Sequence, residues 1–219
     1  MIAAKFLTTA LFLTIATLTS SASATVVDFN NLAGTNLPGN TNYMSKLTSF
    51  YGSTGFTTNG FNFKGTDNNY SYLIGANYAG GDSSDWAYNG TDFFIAASGF
   101  SITSATAAPF SINSIDLGRL TLESFTTATL TGTKVGGGIV TTTVTLDITS
   151  NASKHTGNDF LTYSLTGFDN LSSLSITHNG LNYLTVDNVV LNAATVPEPS
   201  SIALFGLALA AGALVRRRA

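Results

Sequence analysis

The feature that most constrains the fold is a strict alternation of apolar and polar side chains near the middle of the chain. The inward positions of this alternation are Val140, Thr142, Val144, Leu146 and Ile148. A period of two residues is that of a β-strand with one buried face. No long pattern with the helical period of 3.6 residues occurs between residues 25 and 195. The sequence therefore predicts an all-β fold.

Other short segments, separated by Gly, Asn and Asp, have the same character. The further predicted strands are Val26–Phe29, Gly55–Phe63, Asp92–Ala97, Phe100–Ser104, Leu161–Leu165, Leu174–Thr177 and Tyr183–Leu191. Many short strands with turn signals at intervals of about ten residues are typical of a sandwich. We predict one antiparallel β-sandwich, with long loops at Gly39–Lys46 and Gly75–Trp86.

Two local signals refine this prediction. Gly136-Gly137-Gly138 indicates a hairpin that joins Thr127–Val135 to Ile139–Thr149, because glycine adopts the backbone angles of tight turns. Phe110 and Ile112 occupy one set of alternating positions, whereas Ile115 and Leu117 occupy the other. This change of alternation predicts a β-bulge near Asn113-Ser114.

Composition narrows the classes of function. Only 10% of the residues are charged, which is low for a globular protein. Cysteine is absent, so disulfides and thiolate sites are excluded. Between residues 25 and 196, five basic and eleven acidic side chains give a net charge of −6. No basic stripe is present, which argues against nucleic-acid binding. Acidic surfaces of exported proteins are compatible with Ca²⁺.

The N-terminus has the three parts of a secretory signal peptide. Lys5 precedes an apolar stretch from Phe6 to Leu18, and small residues follow at Ala22 and Ala24. This order is that of a signal peptide with an A-x-A cleavage site, whereas an uncleaved anchor is the alternative. We predict a signal helix in residues 1–24, cleavage after Ala24 and a mature chain that begins at Thr25.

The C-terminus has a second export-related pattern. The apolar run Ile202–Val215 precedes the basic cluster Arg216, Arg217 and Arg218. A helix of that length spans about 21 Å, less than the roughly 30 Å of a hydrocarbon core. The run is apolar on every side and ends in arginines, so a short transmembrane helix with a cytoplasmic end is favoured over a core helix. Pro197 and Pro199 prevent the helix from extending backwards.

Val196, Pro197, Glu198 and Pro199, the apolar run and the arginine cluster together resemble the PEP-CTERM protein-sorting signal over residues 196–219. The resemblance implies a protein exported by a Gram-negative bacterium that makes exopolysaccharide. It also implies that secretion machinery and a membrane exosortase are partners. The chain would be anchored transiently in the inner membrane, cleaved, and released to the cell surface or the medium.

The segment between the two signals, residues 25–195, is similar to the jelly-roll sandwiches of PEP-CTERM proteins and of galactose-binding-type carbohydrate-binding modules. The residues that carry this similarity include PFSINSIDLG from Pro109 and YLTVDNVVL from Tyr183. In that family an acid near the first strand and an Asp in the last strand often hold Ca²⁺, which implies Asp28 and Asp187 here. The alternative for Asp187 is a hydrogen bond to backbone at a strand bulge.

Aromatic side chains are the candidates for glycan contact, because sugars stack on exposed aromatic rings. The candidates are Tyr70, Tyr72, Trp86 and Tyr88, in a stretch that is rich in Asn and Asp. His155 and His178 are predicted to lie in surface loops, and neither stands in a catalytic motif. Glu123 has no partner carboxylate that the sequence singles out.

Three functions remain at this point. The first is an exported, non-catalytic surface or matrix protein associated with exopolysaccharide or a biofilm. The second is a carbohydrate-binding module, with structural Ca²⁺, that binds exopolysaccharide directly. The third is an extracellular glycan hydrolase, which the poor inventory of catalytic residues disfavours. At least two aromatic faces exposed on one concave surface would favour the second, whereas buried or scattered rings in Tyr70–Trp86 would favour the first.

Overall fold

The computed structural model describes residues 24–38, 42–44, 47–51, 54–66, 70–75, 90–119, 126–146, 160–180 and 183–193. All of them lie in one compact unit, Ala22–Ala194. The predicted signal helix, apart from Ala24, lies outside the described residues, as do the predicted transmembrane helix, Trp86, Tyr88, Glu123 and His155. Among the described residues, no helix has the length and apolarity needed to cross a membrane.

Every regular element of the described residues is a β-strand. The strands are β1 (Ala24–Val27), β2 (Asn42–Met44), β3 (Leu47–Tyr51), β4 (Gly55–Thr58), β5 (Phe61–Gly65), β6 (Tyr70–Ile74), β7 (Phe93–Ala97), β8 (Gly99–Ser104), β9 (Phe110–Arg119), β10 (Thr127–Lys134), β11 (Ile139–Thr145), β12 (Leu161–Ser164), β13 (Leu171–His178) and β14 (Tyr183–Ala193). All the pairings between them are antiparallel.

The strands form two sheets that share one short link. Sheet I has the order β2-β3-β6-β7-β14-β9, with β1 beside β14 and β12 beside β9. Sheet II has the order β4-β5-β8-β13-β10-β11. The link is the single register pair Leu171–Phe110 between β13 and β9. The chain therefore passes repeatedly between the sheets, and neighbours in space are distant in sequence.

Aromatic side chains pack the two sheets against each other. Phe94 of sheet I meets three phenylalanines of sheet II, with ring centroids 5.3 Å from Phe56, 6.4 Å from Phe63 and 5.6 Å from Phe100. All four side chains are buried. Such edge-on contacts between large rings account for much of the energy of a β-sandwich core. The predicted all-β class and antiparallel sandwich are confirmed.

Sheet I is buried on part of its outer face as well. β7 is buried at every position, because its side chains point alternately to the inter-sheet core and to a second cluster. The second cluster contains Ile74, Phe93, Ile95 and Phe160, with Leu47, Tyr72 and Tyr183 packed against it. The outer face of sheet I therefore contributes a second buried apolar and aromatic cluster.

Both refinements from local signals are confirmed. β10 and β11 form a hairpin, and Gly136, Gly137 and Gly138 all have positive φ. The register between β9 and β14 shifts where Val190 pairs with Ser114 and Leu191 pairs with Ile112, so the bulge includes Asn113.

Two predictions at the level of elements are wrong, and two strands were missed. Gly55–Phe63 is not one strand, because Asn59 and Gly60, both with positive φ, turn the chain and make β4 and β5 a hairpin. Asn-Gly is a strong hairpin signal, and the apolar residues on both sides concealed it. β2 lies within the predicted loop Gly39–Lys46. β3 and β6 were not predicted as strands at all.

Candidate functional site

Four tyrosines lie together on the outer face of sheet I, and we name them the tyrosine face: Tyr51, Tyr70, Tyr72 and Tyr183. Tyr51 and Tyr70 are direct cross-strand partners of β3 and β6, and their ring centroids are 4.8 Å apart. Tyr70 and Tyr72 stack at 6.0 Å with an interplanar angle of 21°. Tyr72 meets Tyr183 of β14 at 5.8 Å in an edge contact. The rings form one continuous row across the sheet.

The alternation of the strands places these rings outside. In β3 and β6, Phe50 and Leu73 point into the inter-sheet core and are fully buried. Their neighbours Tyr51 and Tyr72 must then point to the opposite face, because successive side chains of a strand alternate.

Exposure divides the row into two ends. Tyr72 and Tyr183 are half-buried against the second cluster. Tyr51 is 50% exposed and Tyr70 is 44% exposed. The exposed pair is therefore accessible to a ligand, while the buried end holds the row in place. Rigid aromatic rings with a polar hydroxyl are suited to contact with amphipathic ligands.

The structure brings together part of the predicted glycan-binding set. Tyr70 and Tyr72 lie on one face, as the hypothesis requires. Trp86 and Tyr88 lie outside the described residues. The sequence did not indicate Tyr51 or Tyr183. The signal for Tyr51 was present in LTSFY, where Leu47, Ser49 and Tyr51 share one phase.

A polar cluster lies at the bulge of β14. Asp187 is fully buried, and its Oδ2 accepts a hydrogen bond from the Thr91 hydroxyl at 2.7 Å. Its Oδ1 accepts a bond from the backbone N–H of Asn188 at 2.8 Å. Asn188 has a φ of 44° and donates from Nδ2 to Asp116 Oδ2 on β9 at 2.9 Å. Asp187 therefore bonds backbone at a strand bulge, as the alternative to calcium binding described.

Asp28 follows β1 and is half-buried. Its Oδ1 accepts the backbone N–H of Asn30 at 3.2 Å, which is the hydrogen bond of an Asx-type turn. Val27, the residue before it, pairs with Val189 of β14. The strand register thus brings Asp28 to the neighbourhood of the β14 bulge, although no contact between Asp28 and Asp187 is described.

The structure also places a carboxylate pair that the sequence did not reveal. Asp116 and Asp187 are direct register partners of β9 and β14. A glycoside hydrolase needs two carboxylates that flank a substrate cleft. Asp187 is fully buried, so this pair does not present both carboxylates to a substrate.

His178, predicted to lie in a surface turn, is instead the last residue of β13 and is half-buried. Its Nδ1 accepts the backbone N–H of Gly180 at 3.1 Å. This bond caps the turn after the strand, which is a structural role.

A cleft of about 550 Å³ lies on sheet II, above β4, β5 and β8. Its polar walls include Asn62, Lys64 and Thr103. The Thr57 hydroxyl donates to Asn62 Oδ1 at 2.6 Å, and Asn62 Nδ2 donates to Thr103 Oγ1 at 3.4 Å. Because Thr57, Asn62 and Thr103 already bond one another, the cleft is a weaker candidate than the tyrosine face.

One ion pair stands at the opposite edge of sheet II. Lys134 Nζ lies 2.9 Å from Asp169 Oδ1. Its hydrogen bond and charge, with a backbone hydrogen bond, hold the pKa of Asp169 below the ordinary value. Asp169 is exposed and Lys134 is half-buried. The pair joins β10 to the segment before β13, so its role is local.

Comparison with protein families finds one match, in the C-terminal segment. Residues 195–218 match the family model described as the PEP-CTERM protein-sorting motif. This confirms the resemblance that the sequence suggested for the tail. Such a motif implies export, sorting at a membrane and processing by an exosortase. No curated protein matches the sequence.

Several solved structures are similar to this chain over part of its length. A DUF4465 family protein from Bacteroides caccae is 12% identical, with 78% of this chain and 100% of that chain covered and a TM-score of 0.49. The CBM32-3 module of a family 31 glycoside hydrolase from Clostridium perfringens is 13% identical, with 68% and 92% covered and a TM-score of 0.31. The tailspike protein 4 domain of bacteriophage CBA120 is 13% identical, with 68% and 20% covered and a TM-score of 0.28.

Proposed function

We propose that this chain is an exported, non-catalytic cell-surface or matrix protein that binds a polysaccharide, the exopolysaccharide of its own cell, through the tyrosine face. One observation carries the proposal: Tyr51 and Tyr70, whose ring centroids are 4.8 Å apart, are each about half exposed on the same face of sheet I. The sequence-based condition for a glycan-binding module was at least two aromatic faces exposed on one concave surface, and Tyr51 and Tyr70 supply two exposed rings on one face.

Binding at a row of tyrosine rings has a low entropic cost. Exposed aromatic rings lose little conformational entropy on binding, because they have only two rotatable side-chain bonds. Here the contacts of Tyr72 with Tyr70 and Tyr183 further restrict the row. The exposed ring surfaces of this row suit the apolar faces of sugars, while the tyrosine hydroxyls are able to contact sugar hydroxyls.

The route to the cell surface is the second part of the proposal. The signal peptide of residues 1–24 starts export, and Ile202–Val215 with Arg216–Arg218 holds the chain transiently in the inner membrane. Cleavage near Pro197–Pro199 by an exosortase then releases the sandwich to the surface or the medium. The sorting motif at residues 195–218 supports this route. Mass spectrometry of the protein from its host tests it, and a mature protein that retains Arg216–Arg218 contradicts it.

The binding proposal is tested with the full chain in mild detergent on a glycan array of neutral and acidic polysaccharides. We expect binding to at least one polysaccharide, and a loss of fivefold or more in affinity for each of Tyr51→Ala and Tyr70→Ala. Truncation of an aromatic anchor costs at least about 1 kcal/mol, which corresponds to that factor.

The matched control is Lys64→Ala, which changes the cleft on sheet II and leaves the tyrosine face intact. We expect the affinity of this variant to equal that of the parent. If Lys64→Ala lowers affinity and the tyrosine variants do not, the glycan site lies in the cleft and the proposal for the tyrosine face is wrong. Absence of binding to every polysaccharide overturns glycan recognition altogether.

Calcium binding by Asp28 and Asp187 stays a prediction. Ca²⁺ takes six to eight oxygen ligands, whereas both carboxylate oxygens of Asp187 already accept hydrogen bonds. Among the described residues, no group of three or more His, Cys, Asp or Glu side chains is placed to hold a metal ion. The described side chains therefore do not form a complete site.

The test is the melting temperature of the full chain in millimolar CaCl₂ and in EDTA. A ligand that binds only the folded state raises the melting temperature. If Ca²⁺ binds as predicted, the rise is present in the parent and lost in Asp28→Asn. Equal melting temperatures of the parent in both buffers contradict calcium binding.

A further inference from the structure

β11 is an edge strand of sheet II, and it is the longest of the edge strands described. It has 7 residues, whereas β2 has 3, β4 has 4 and β12 has 4. Its pairing partner among the described residues is β10, on one side alone. Along the strand, side chains alternate between exposed and half-buried.

The direction of its free backbone groups follows from the hairpin. Lys134 N–H donates to the Gly138 carbonyl, and Leu146 N–H donates to the Thr126 carbonyl. In an antiparallel pair, hydrogen-bonded and non-hydrogen-bonded positions alternate. Even-numbered residues of β11 therefore bond β10, whereas Ile139, Thr141 and Thr143 turn their N–H and C=O groups to the open edge. No described residue takes the groups of Thr141 or Thr143.

This edge lacks the usual protection against pairing. Natural edge strands are blunted by charged side chains, proline or bulges. β11 reads IVTTTVT, with no charge, no proline and no glycine, and every residue is β-branched. Its register with β10 is regular throughout. An exposed, regular and uncharged edge of this kind is a template for another strand.

The strand is also symmetric about Thr142. Val140-Thr141-Thr142-Thr143-Val144 reads the same in both directions. In an antiparallel pair of two copies centred on Thr142, Val140 faces Val144 of the other copy and Thr141 faces Thr143. Such apolar and hydroxyl pairs stabilise sheets. Two-fold interfaces require a patch that is complementary to itself, and this strand meets that requirement.

We propose that two copies of this chain associate through β11 in an antiparallel pair with its two-fold axis at Thr142. Thr141 and Thr143 of the two copies then exchange four backbone hydrogen bonds, and Thr142 faces its counterpart at a non-hydrogen-bonded position. The six strands of sheet II in each copy become one twelve-stranded sheet. The dimer carries two tyrosine faces, so it holds one polysaccharide chain at two points and gains avidity. The dimer itself does not depend on glycan binding.

The first test is oxidative cross-linking of the full chain, which has no native cysteine. In the proposed dimer the Cα atoms of the two Thr142 residues are about 4.5 Å apart, which suits a disulfide. We expect Thr142→Cys to give a disulfide-linked dimer on a non-reducing gel. The matched control is Ile139→Cys, at a position of β11 that is 71% exposed, whereas Thr142 is half-buried. The two Ile139 positions are about 20 Å apart in the dimer, so we expect at least tenfold less dimer.

If the disulfides form by random collision, Ile139→Cys gives more dimer than Thr142→Cys, because the more exposed cysteine reacts faster. Dimer yields from Ile139→Cys that equal or exceed those from Thr142→Cys therefore overturn the proposal.

The second test uses charge at the two facing positions. Thr141→Lys with Thr143→Lys places like charges opposite each other in the dimer, and we expect loss of the dimer in analytical ultracentrifugation. Thr141→Lys with Thr143→Glu changes the same positions but pairs opposite charges, and we expect the dimer to persist. Circular dichroism checks that both double variants remain folded. Equal dimer fractions in the two double variants contradict the antiparallel register at Thr142.

Discussion

At the scale of single residues, backbone contacts and hydrogen bonds explain side chains that sequence patterns leave ambiguous. Asp187 was a candidate ligand because it stands in the last strand, yet its two oxygens bond Thr91 and Asn188. Burial of a carboxylate without such bonds is costly, so these donors are needed whatever else binds there. Backbone angle and close contacts likewise determine which positions require a glycine.

Gly99 gives a residue-scale prediction. It has a φ of +118°, and a Cβ added there would lie 2.0 Å from the Ile176 carbonyl oxygen. Gly137 has a similar φ of +100°, with nothing within 4 Å of an added Cβ. Both alanine variants suffer backbone strain of about 1–2 kcal/mol, and Gly99→Ala adds an overpacking cost of about 1–3 kcal/mol.

Urea unfolding of the full chain measures the difference. We expect Gly99→Ala to lower the free energy of unfolding clearly more than Gly137→Ala. Equal losses would mean that β8 and β13 can separate without cost at this point.

At the scale of elements, irregularities in the strands position the polar cluster. The bulge in β14 inserts Asn188 between Asp187 and Val189, and the β9 bulge at Asn113 restores the register. Val186 and Val189 are therefore both buried in the inter-sheet core, although they are an odd number of residues apart. Bulges redirect side chains in this way at specific sites.

Asn188 gives the element-scale prediction. Its φ of 44° is tolerated by asparagine better than by most residues, and its amide donates to Asp116. We expect Asn188→Ala to lower the free energy of unfolding by about 1–3 kcal/mol, from lost hydrogen bonding and backbone strain.

The control for this variant is Asn192→Ala. Asn192 also lies in β14, and its Nδ2 donates a hydrogen bond to Oδ1 of Asn113 in β9 at 3.2 Å. Its φ is not positive. In urea unfolding we expect the smaller loss for Asn192→Ala, and the reverse order would contradict the role assigned to the bulge.

At the scale of the whole sandwich, the phenylalanines of two sheets form one core. Phe94 contacts Phe56, Phe63 and Phe100 across the inter-sheet space. Its ring centroid also lies 6.2 Å from that of Phe29, which follows β1. These partners come from four separate segments of the chain. Loss of this ring affects the packing of both sheets together.

We expect Phe94→Ala to lower the free energy of unfolding by about 3–5 kcal/mol, the usual cost of a large cavity in a packed core. Tyr51→Ala, which removes a half-exposed ring from sheet I, is expected to cost within about 1 kcal/mol. Chemical unfolding of both variants provides the comparison. Similar losses would indicate that the exposed end of the tyrosine face also carries stability.

Sequence reasoning predicted a large part of the fold and a smaller part of the candidate site. The strands with clear alternation, such as β10 and β11, were predicted because their pattern is local. β3 and β6 were missed because Thr48, Ser49 and Ser71 are buried polar residues that interrupt the apolar pattern. Those two strands carry Tyr51, Tyr70 and Tyr72, so the site was only partly visible.

The sequence by itself determined the all-β class, the glycine hairpin, the bulge near Asn113 and the sorting motif of the tail. These features depend on residues that are close together in the chain, where backbone preference and alternation act directly. The tertiary structure alone decided that Tyr51 faces Tyr70, that Tyr72 meets Tyr183 and that Asp116 pairs with Asp187. Those contacts join residues up to 111 positions apart, as Tyr72 and Tyr183 are. Their register follows from the packing of the whole sandwich, which no local pattern encodes.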